Sequence, residues 1–143
     1  MKISQEIYIR EFLDQRGLLG TTGVDTPAIE TGPDSNMTEE DLPQTDEEKD
    51  ELKKLPFQED IGCLYWMASI SRPDIYYAVH RASKWQTKPS KKLWRWLERI
   101  KRYLINTQHI GLVYTRENVV SPFSAYCDAS FATEFGAKSG FFF

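Results

Sequence analysis

The sequence has few of the residues from which metal centres and disulfide frameworks are built. Its 143 residues include two cysteines, Cys63 and Cys127, and two histidines, His80 and His109. The cysteines lie far apart, neither belongs to a C-x-x-C pair, and the histidines complete neither a zinc motif nor a recognisable catalytic triad. We therefore expect reduced thiols in an intracellular protein, without a zinc site or a disulfide framework.

Long apolar runs and glycine-rich phosphate loops are also missing. No stretch approaches the roughly 20 apolar residues that span a bilayer. The first residues do not combine a basic start, an apolar segment and a small-residue cleavage site, which excludes a typical secretion signal. These absences predict a chain that has no membrane partner and is located in the cytoplasm or the nucleus.

Charge is abundant and is divided sharply along the chain. The net charge is only −3, but residues 30–60 carry twelve acidic side chains against three lysines. Residues 72–102 carry ten basic side chains against two acids. The global balance therefore hides a strongly basic segment, and a basic segment is where a polyanionic partner would bind.

Hydrophobic periodicity predicts a small helical core. Residues 4–17 read as a short amphipathic helix that Gly17 ends, and residues 57–70 are apolar nearly all round, as in a buried helix. A further helix starts near Ser71, with Pro73 in its first turn. The clearest core face belongs to the last helix, in which four apolar residues recur at helical spacing: Leu93, Leu97, Ile100 and Leu104.

Residues 20–54, which we call the acidic segment, contain glycine, proline, threonine and acid but almost no periodic apolar residues. Such composition is typical of a solvated, flexible linker. The alternative is that the acidic segment folds back over the basic helices as a mimic of phosphate. We expect the linker, since acidic stretches without apolar residues seldom become ordered.

One face of the last helix carries cations at helical spacing, and we call it the basic stripe: Lys91, Arg95, Arg99 and Arg102. Lysine and arginine in this arrangement can contact successive phosphates and release counterions. Lys92 and Lys84 extend the predicted nucleic-acid surface, and Trp94 and Tyr77 are candidates for sugar or base contacts beside it. The alternative is a solvated helix face.

The end of the chain predicts a small β-structure. Residues 109–115 read as a strand. Residues 124–131 alternate as a second strand, on which Asp128 shares a face with Tyr126 and Ser130. Residues 139–143 read as its partner. Asp128 is a candidate metal ligand, but two-metal phosphodiester chemistry needs several carboxylates, and beyond Asn118 the sequence offers only Asp128 and Glu134.

The order of these motifs resembles the junction between reverse transcriptase and RNase H in copia-type retrotransposon Pol polyproteins. "ISQEIYIREFLDQRGL" followed by "DTP" is similar to the end of the palm region, and "YCDASFATEFGAKSGFFF" is similar to the opening hairpin of RNase H. The thumb and connection are matched between them, most specifically by Arg72-Pro73-Asp74-Ile75. Further positions in register include Gly62, Leu64, Tyr65, Trp94, Arg99, Arg102, Tyr103 and Leu104.

The resemblance implies an α+β fold in four parts: a palm-like end at 1–19, an acidic flexible linker at 20–54, a three-helix thumb-like region at 55–107, and an incomplete RNase H-like sheet at 108–143. Asp128 falls on the first catalytic carboxylate, a metal ligand in a complete parent. The parent family uses magnesium, whereas we expect no cofactor for this chain, which has no Asp-Asp pair.

Two functional hypotheses follow. The first is a catalytically incomplete reverse transcriptase fragment that grips a template–primer, either an RNA–DNA hybrid or a DNA duplex, and belongs with the missing parts of the parent polyprotein. The second is a protein-interaction module that pairs through the open edge of its hairpin, or a translated remnant without function.

Overall fold

The structure is a computed structural model that describes the backbone of residues 1–115, 126–133 and 136–142, and the side chains of residues 1–115. The described residues form five α-helices and two small antiparallel sheets, in keeping with the α+β class. The helices are α1 (Glu6–Gln15), α2 (Asp46–Lys53), α3 (Phe57–Ile70), α4 (Tyr76–Ser83) and α5 (Lys91–Thr107). The strands are β1 (Lys2–Ile3), β2 (Leu112–Val113), β3 (Tyr126–Thr133) and β4 (Gly136–Phe142).

The predicted apolar face of α5 lies at the centre of the core. Leu93, Leu97 and Leu104 are fully buried and Ile100 is almost so, as their spacing predicts. Helices α3 and α4 pack against α5 and against each other. The buried face of α1 joins the same cluster. The predicted three-helix cluster is therefore confirmed, with α1 packed onto it.

Helix α1 is held in place by contacts that are distant in sequence. Strand β1 pairs with β2 so that Lys2 lies opposite Val113 and Ile3 opposite Leu112. The Met1 amino group donates a hydrogen bond to the Tyr114 carbonyl at 2.7 Å. The predicted strand after α5 is confirmed in part, as Leu112–Val113, and the first residues of the chain provide its partner.

Helix α3 is not buried all round, and this prediction was wrong. Met67 and Leu64 are fully buried, but Trp66 on the other side is 55% exposed, and Tyr65 and Ile70 are also exposed. The described helices cover one side of α3, and nothing among the described residues covers the side that carries Trp66. An apolar helix therefore presents an aromatic surface.

The motif Arg72-Pro73-Asp74-Ile75 forms a clamp between the start of α4 and the end of α5, in which Arg72 is buried and Asp74 is partly exposed. The Arg72 guanidinium is fully buried and donates to both carboxylate oxygens of Asp74, at 2.9 and 2.7 Å. It also donates to the carbonyl and the hydroxyl of Thr107, at 2.8 and 2.7 Å. Tyr103 donates a further hydrogen bond to Asp74 at 2.9 Å. The Ser71 hydroxyl, just before this motif, donates to the Gln5 side chain at 2.8 Å.

The clamp makes the stability of the protein sensitive to acid. Burial raises the pKa of Asp74, but the hydrogen bonds and charge of Arg72, with the Tyr103 hydroxyl, outweigh it and hold the pKa below its ordinary value. A depressed pKa stabilises the fold above the unfolded-state pKa of about 3.9, and this stabilisation is lost as the pH falls through the folded-state pKa. We expect Asp74→Asn to be destabilising at pH 7, with a free-energy difference from wild type that shrinks below about pH 4. Urea unfolding of both proteins between pH 3 and 7 measures this difference, and a constant difference would contradict the expectation.

The acidic segment lies on the helices rather than apart from them. Its apolar residues Met37 and Leu52 are buried in the common core. The Val24 N–H donates to the Arg102 carbonyl at 3.3 Å, and Gly23 lies so close to Asn106 that a Cβ atom would collide with the Asn106 side chain. The expectation of a solvated linker was therefore wrong for this segment, and the fold-back alternative describes its position. Its few apolar residues suffice because they insert between α-helices that already form a core.

The C-terminal hairpin has the predicted antiparallel pairing. In β3 and β4, Asp128 lies opposite Gly140 and Tyr126 opposite Phe142, with an irregular register between Ser130 and Thr133. The side chains of this hairpin lie outside the described residues, as does Glu134. Across the described parts of the chain, no helix is long and apolar enough to cross a membrane.

Candidate nucleic-acid interface

The basic stripe lies along the side of α5 that faces away from the core. Ser90 caps the helix, since its hydroxyl accepts a hydrogen bond from the Leu93 N–H at 3.1 Å. The side chains of Lys91 and Arg95 are 64% and 65% exposed. Glu98, the sole acid of α5, is paired with Lys101 at 2.6 Å. Helix α5 therefore presents a positively charged outer surface.

Every cation of the basic stripe contacts the acidic segment. These contacts follow the order of the chain, from the end of α5 back to its start. They join Arg102 to the Thr22 carbonyl at 2.9 Å, Arg99 to the Thr26 hydroxyl at 2.7 Å, Arg95 to Asp34 at 3.5 Å, and Lys91 to Glu48 at 3.0 Å. The predicted surface thus faces an internal partner that supplies oxygen acceptors.

Lys92 and Lys84, which the sequence also suggested, occupy different surroundings. Lys92 is 7% exposed, and its ammonium group donates to Asp41 at 2.9 Å. Burial raises the pKa of Asp41, but the hydrogen bonds from Lys92 and Thr38 outweigh it and lower the pKa. Lys84 is half-buried just beyond α4. Lys92 is therefore part of a structural ion pair in this conformation.

Sequence reasoning missed two residues at this interface. Lys88 forms an ion pair with Glu39 at 2.9 Å, although it precedes α5. Trp96 lies on α5 itself, and its indole N–H donates to the Asp34 carbonyl at 2.9 Å. Arg81 lies over the Trp96 ring at 4.5 Å from its centroid. A tryptophan among cations on a helix is the one local signal that could have indicated such a contact.

The two aromatic candidates for base contacts differ in position. Tyr77 is 63% exposed on α4, as expected. Trp94 is partly buried against the Phe57 ring, with centroids 5.2 Å apart, and the Lys101 ammonium lies 4.1 Å from its centroid. Trp94 thus packs at the edge of the core, and only Tyr77 is free to meet a ligand in this conformation.

The candidate catalytic carboxylate belongs to the C-terminal hairpin. Asp128 lies on β3 and is the one acid in the two strands, and its side chain lies outside the described residues. Within the described residues, no group of three histidine, cysteine or acidic side chains is placed to bind a metal ion.

Comparison with known proteins relates the chain to retrotransposon proteins. It is 29% identical over 130 residues to the "Retrovirus-related Pol polyprotein from transposon TNT 1-94" of Nicotiana tabacum, a match of 91% of this chain and 9% of the polyprotein. It is 38% identical over 72 residues to the "Retrovirus-related Pol polyprotein from transposon RE2" of Arabidopsis thaliana, half of this chain and 5% of that protein.

A shorter relative is the "Secreted RxLR effector protein 161" of Plasmopara viticola, which is 30% identical over 95 residues. The match covers 64% of this chain and 66% of the effector. No protein-family model matches the sequence, and no solved structure matches it. The chain spans less than a tenth of the length of the polyproteins that it matches. The chain is therefore a homologue of one segment of the retrotransposon Pol polyproteins.

Proposed function

We propose that the chain is the thumb and connection part of a copia-type reverse transcriptase and binds template–primer nucleic acid through the basic stripe. In this proposal, residues 1–19 derive from the end of a palm, residues 55–107 form the thumb-like region, and residues 108–143 begin an RNase H domain. The acidic segment joins the first two parts. The ligand is an RNA–DNA hybrid or a DNA duplex.

The observation that carries the proposal is the alignment of four cations on one outer helix face. At 1.5 Å per residue, Lys91 to Arg102 spans about 17 Å of helix axis, which matches about five base-pair steps of 3.4 Å. The residues on the opposite side of α5 are buried in the core, so the helix is anchored and its basic side remains outward. Rigid presentation lowers the entropic cost of binding a regular row of phosphates.

Reversing two charges of the basic stripe tests this proposal. We expect Arg95→Glu/Arg99→Glu to weaken binding to a labelled RNA–DNA hybrid by at least about tenfold, and to reduce the slope of log K against log salt by about two, because two phosphate contacts are lost. Fluorescence anisotropy across a salt series measures both quantities.

The matched control is Arg10→Glu/Lys54→Glu, which makes the same change in net charge at exposed positions on α1 and beyond α2. Affinity and salt slope close to those of wild type are expected for the control. Equal losses in both variants would show that binding follows net charge rather than the basic stripe, and would overturn the proposal.

The described residues do not fit a two-metal catalytic site. Such a site needs several carboxylates around both ions, and the two strands of the hairpin supply Asp128 alone. In a complete parent, Asp128 would be one ligand of magnesium. We therefore propose a binding function for this chain, without a cofactor and without a catalytic step.

A protein-interaction role is the alternative, and the open hairpin favours it. Among the described strands, β3 and β4 pair only with each other, so each has an outer edge that can accept another strand. In this alternative the partner is another protein, and the hybrid is not bound. The parts of the parent polyprotein outside this chain are further candidates as partners in either case.

A further inference from the structure

The acidic segment follows the basic stripe in a regular, antiparallel order. Thr22 lies at the last cation of α5 and Glu48 at the first, with Thr26 and Asp34 between them. Two further ion pairs extend the row beside the stripe, Asp41 with Lys92 and Glu39 with Lys88. Each cation of the stripe therefore already has an acceptor from the same chain.

The carboxylates of the acidic segment, Asp34 and Glu48, resemble the phosphates of a nucleic-acid backbone as acceptors. Carboxylate oxygens accept charge-assisted hydrogen bonds from arginine and lysine in the same way as phosphate oxygens. A duplex that used Arg99 or Arg102 would approach guanidinium groups that already donate to the Thr26 hydroxyl and the Thr22 carbonyl. The segment and a duplex would therefore compete for space beside the same two guanidinium groups.

The attachment of the acidic segment is uneven along its length. Met37 and Leu52 are buried and anchor its second half, and the Asp41–Lys92 pair is largely sheltered from solvent. Between Thr22 and Asn36 the contacts to the stripe are exposed or partly exposed, and the Asp34–Arg95 pair is long, at 3.5 Å. Exposed pairs of this kind are individually weak and screened by salt.

We infer that residues 22–48 are an intramolecular competitor of nucleic acid, which must leave the basic stripe before a duplex can bind there. This inference rests on the proposed function of the stripe. A duplex presents one charge per about 1.7 Å of its axis, a denser row of anions than the acidic segment, so it can displace the exposed first half of residues 22–48. A nucleic acid that contacts only one or two cations would not displace residues 22–48. Competition by this segment would therefore make the stripe selective for long, regular duplexes.

Neutralising the acids that face the helices tests the inference. The variant Asp34→Asn/Glu39→Gln/Asp41→Asn/Glu48→Gln removes four ion-pairing carboxylates. The control Glu40→Gln/Asp46→Asn/Glu47→Gln/Asp50→Asn makes the same charge change in the same segment, at exposed positions for which no contact with the stripe occurs. Both are titrated with the RNA–DNA hybrid at fixed salt.

We expect the variant to bind the hybrid about tenfold more tightly than the control, since that factor corresponds to about 1.4 kcal/mol spread over four weak pairs. Hydrogen exchange of the wild-type protein provides a second measurement that needs no substitution. The amides of residues 22–36 should exchange faster when the hybrid is bound, while α5 remains protected.

Equal affinity of variant and control, with unchanged exchange in residues 22–36 of the hybrid-bound wild type, would overturn the competitor and leave the proposed function standing. Absence of binding by wild type, variant and control alike would overturn the proposed function and the competitor with it. Binding by the variant but not by wild type would be the strongest support for the competitor.

Discussion

Replacing Arg72 with methionine should lower the free energy of unfolding by about 2–3 kcal/mol. The guanidinium group is fully buried and donates four hydrogen bonds, two to Asp74 and two to Thr107. Methionine has similar bulk but no donor, so the substitution leaves the Asp74 carboxylate with the Tyr103 hydroxyl and the Thr107 carbonyl with the Ile110 N–H, and removes the charged donor from both. Because these groups join the start of α4 to the end of α5, the loss affects the core as a whole.

Arg72→Lys distinguishes the geometry of the clamp from its charge. Lysine keeps the positive charge but cannot donate in the planar fork that reaches Asp74 and Thr107 together, so we expect it to recover less than half of the lost stability. Arg10→Met, on the exposed face of α1, should change stability by less than about 0.5 kcal/mol. Urea denaturation measures all three variants, and an Arg72→Met protein as stable as Arg10→Met would contradict the clamp.

Replacing Asp60 with alanine should lower the free energy of unfolding by about 3–5 kcal/mol. Asp60 is fully buried on α3 and pairs with Lys101 at 2.9 Å and with Arg16 at 2.6 Å. Lys101 is 1% exposed, so alanine at position 60 leaves its ammonium group in the core with Glu98 as its remaining carboxylate. The three residues come from α3, α5 and the end of α1, and their pairing joins these elements.

The double variant Asp60→Leu/Lys101→Met tests whether the cost comes from the stranded charge. Replacing a buried pair with apolar residues of similar volume is often neutral or stabilising, so we expect the double variant to be more stable than Asp60→Ala by at least about 2 kcal/mol. Chemical denaturation at neutral pH provides the comparison. Equal stability of the two proteins would mean that packing, and not the unpaired Lys101, causes the loss.

Local sequence patterns predicted the helices and their buried faces better than they predicted which distant residues pack against each helix. The apolar spacing of Leu93 and Leu97 correctly predicted the core face of α5, and Gly17, which has a positive φ of 66°, lies just after α1 as its stop signal suggested. Both features depend on interactions within a few residues. A short stretch of sequence is therefore enough to predict the core face of α5 and the end of α1.

The missed features depend on contacts between distant residues. Nothing near Trp66 indicates that the described helices cover only the opposite side of α3. The low hydrophobicity of residues 20–54 predicted a linker. Composition alone does not show that Met37 packs beside Ser90, more than 50 residues away in the sequence. Lys92 appeared as a further surface cation for the same reason, since its partner Asp41 lies 51 residues earlier.

The relation to Pol polyproteins gives these contacts a functional context. If the basic stripe binds a duplex as we propose, the acidic segment would compete with that duplex within the same chain, since its threonine and carboxylate oxygens contact the arginines of the stripe. Different cations serve the core and the proposed binding surface. Arg72 and Lys101 are buried and stabilise the core, whereas the cations of the basic stripe lie on the outer side of α5.

The salt dependence of wild-type binding to an RNA–DNA hybrid is the most direct test of the proposed function. If the four cations of the basic stripe each neutralise one phosphate, log K should fall linearly with log salt with a slope of about −3 to −4. A slope near zero would contradict the proposal that the basic stripe binds nucleic acid. So would an absence of binding at low salt by both the wild type and the variant with a neutralised acidic segment.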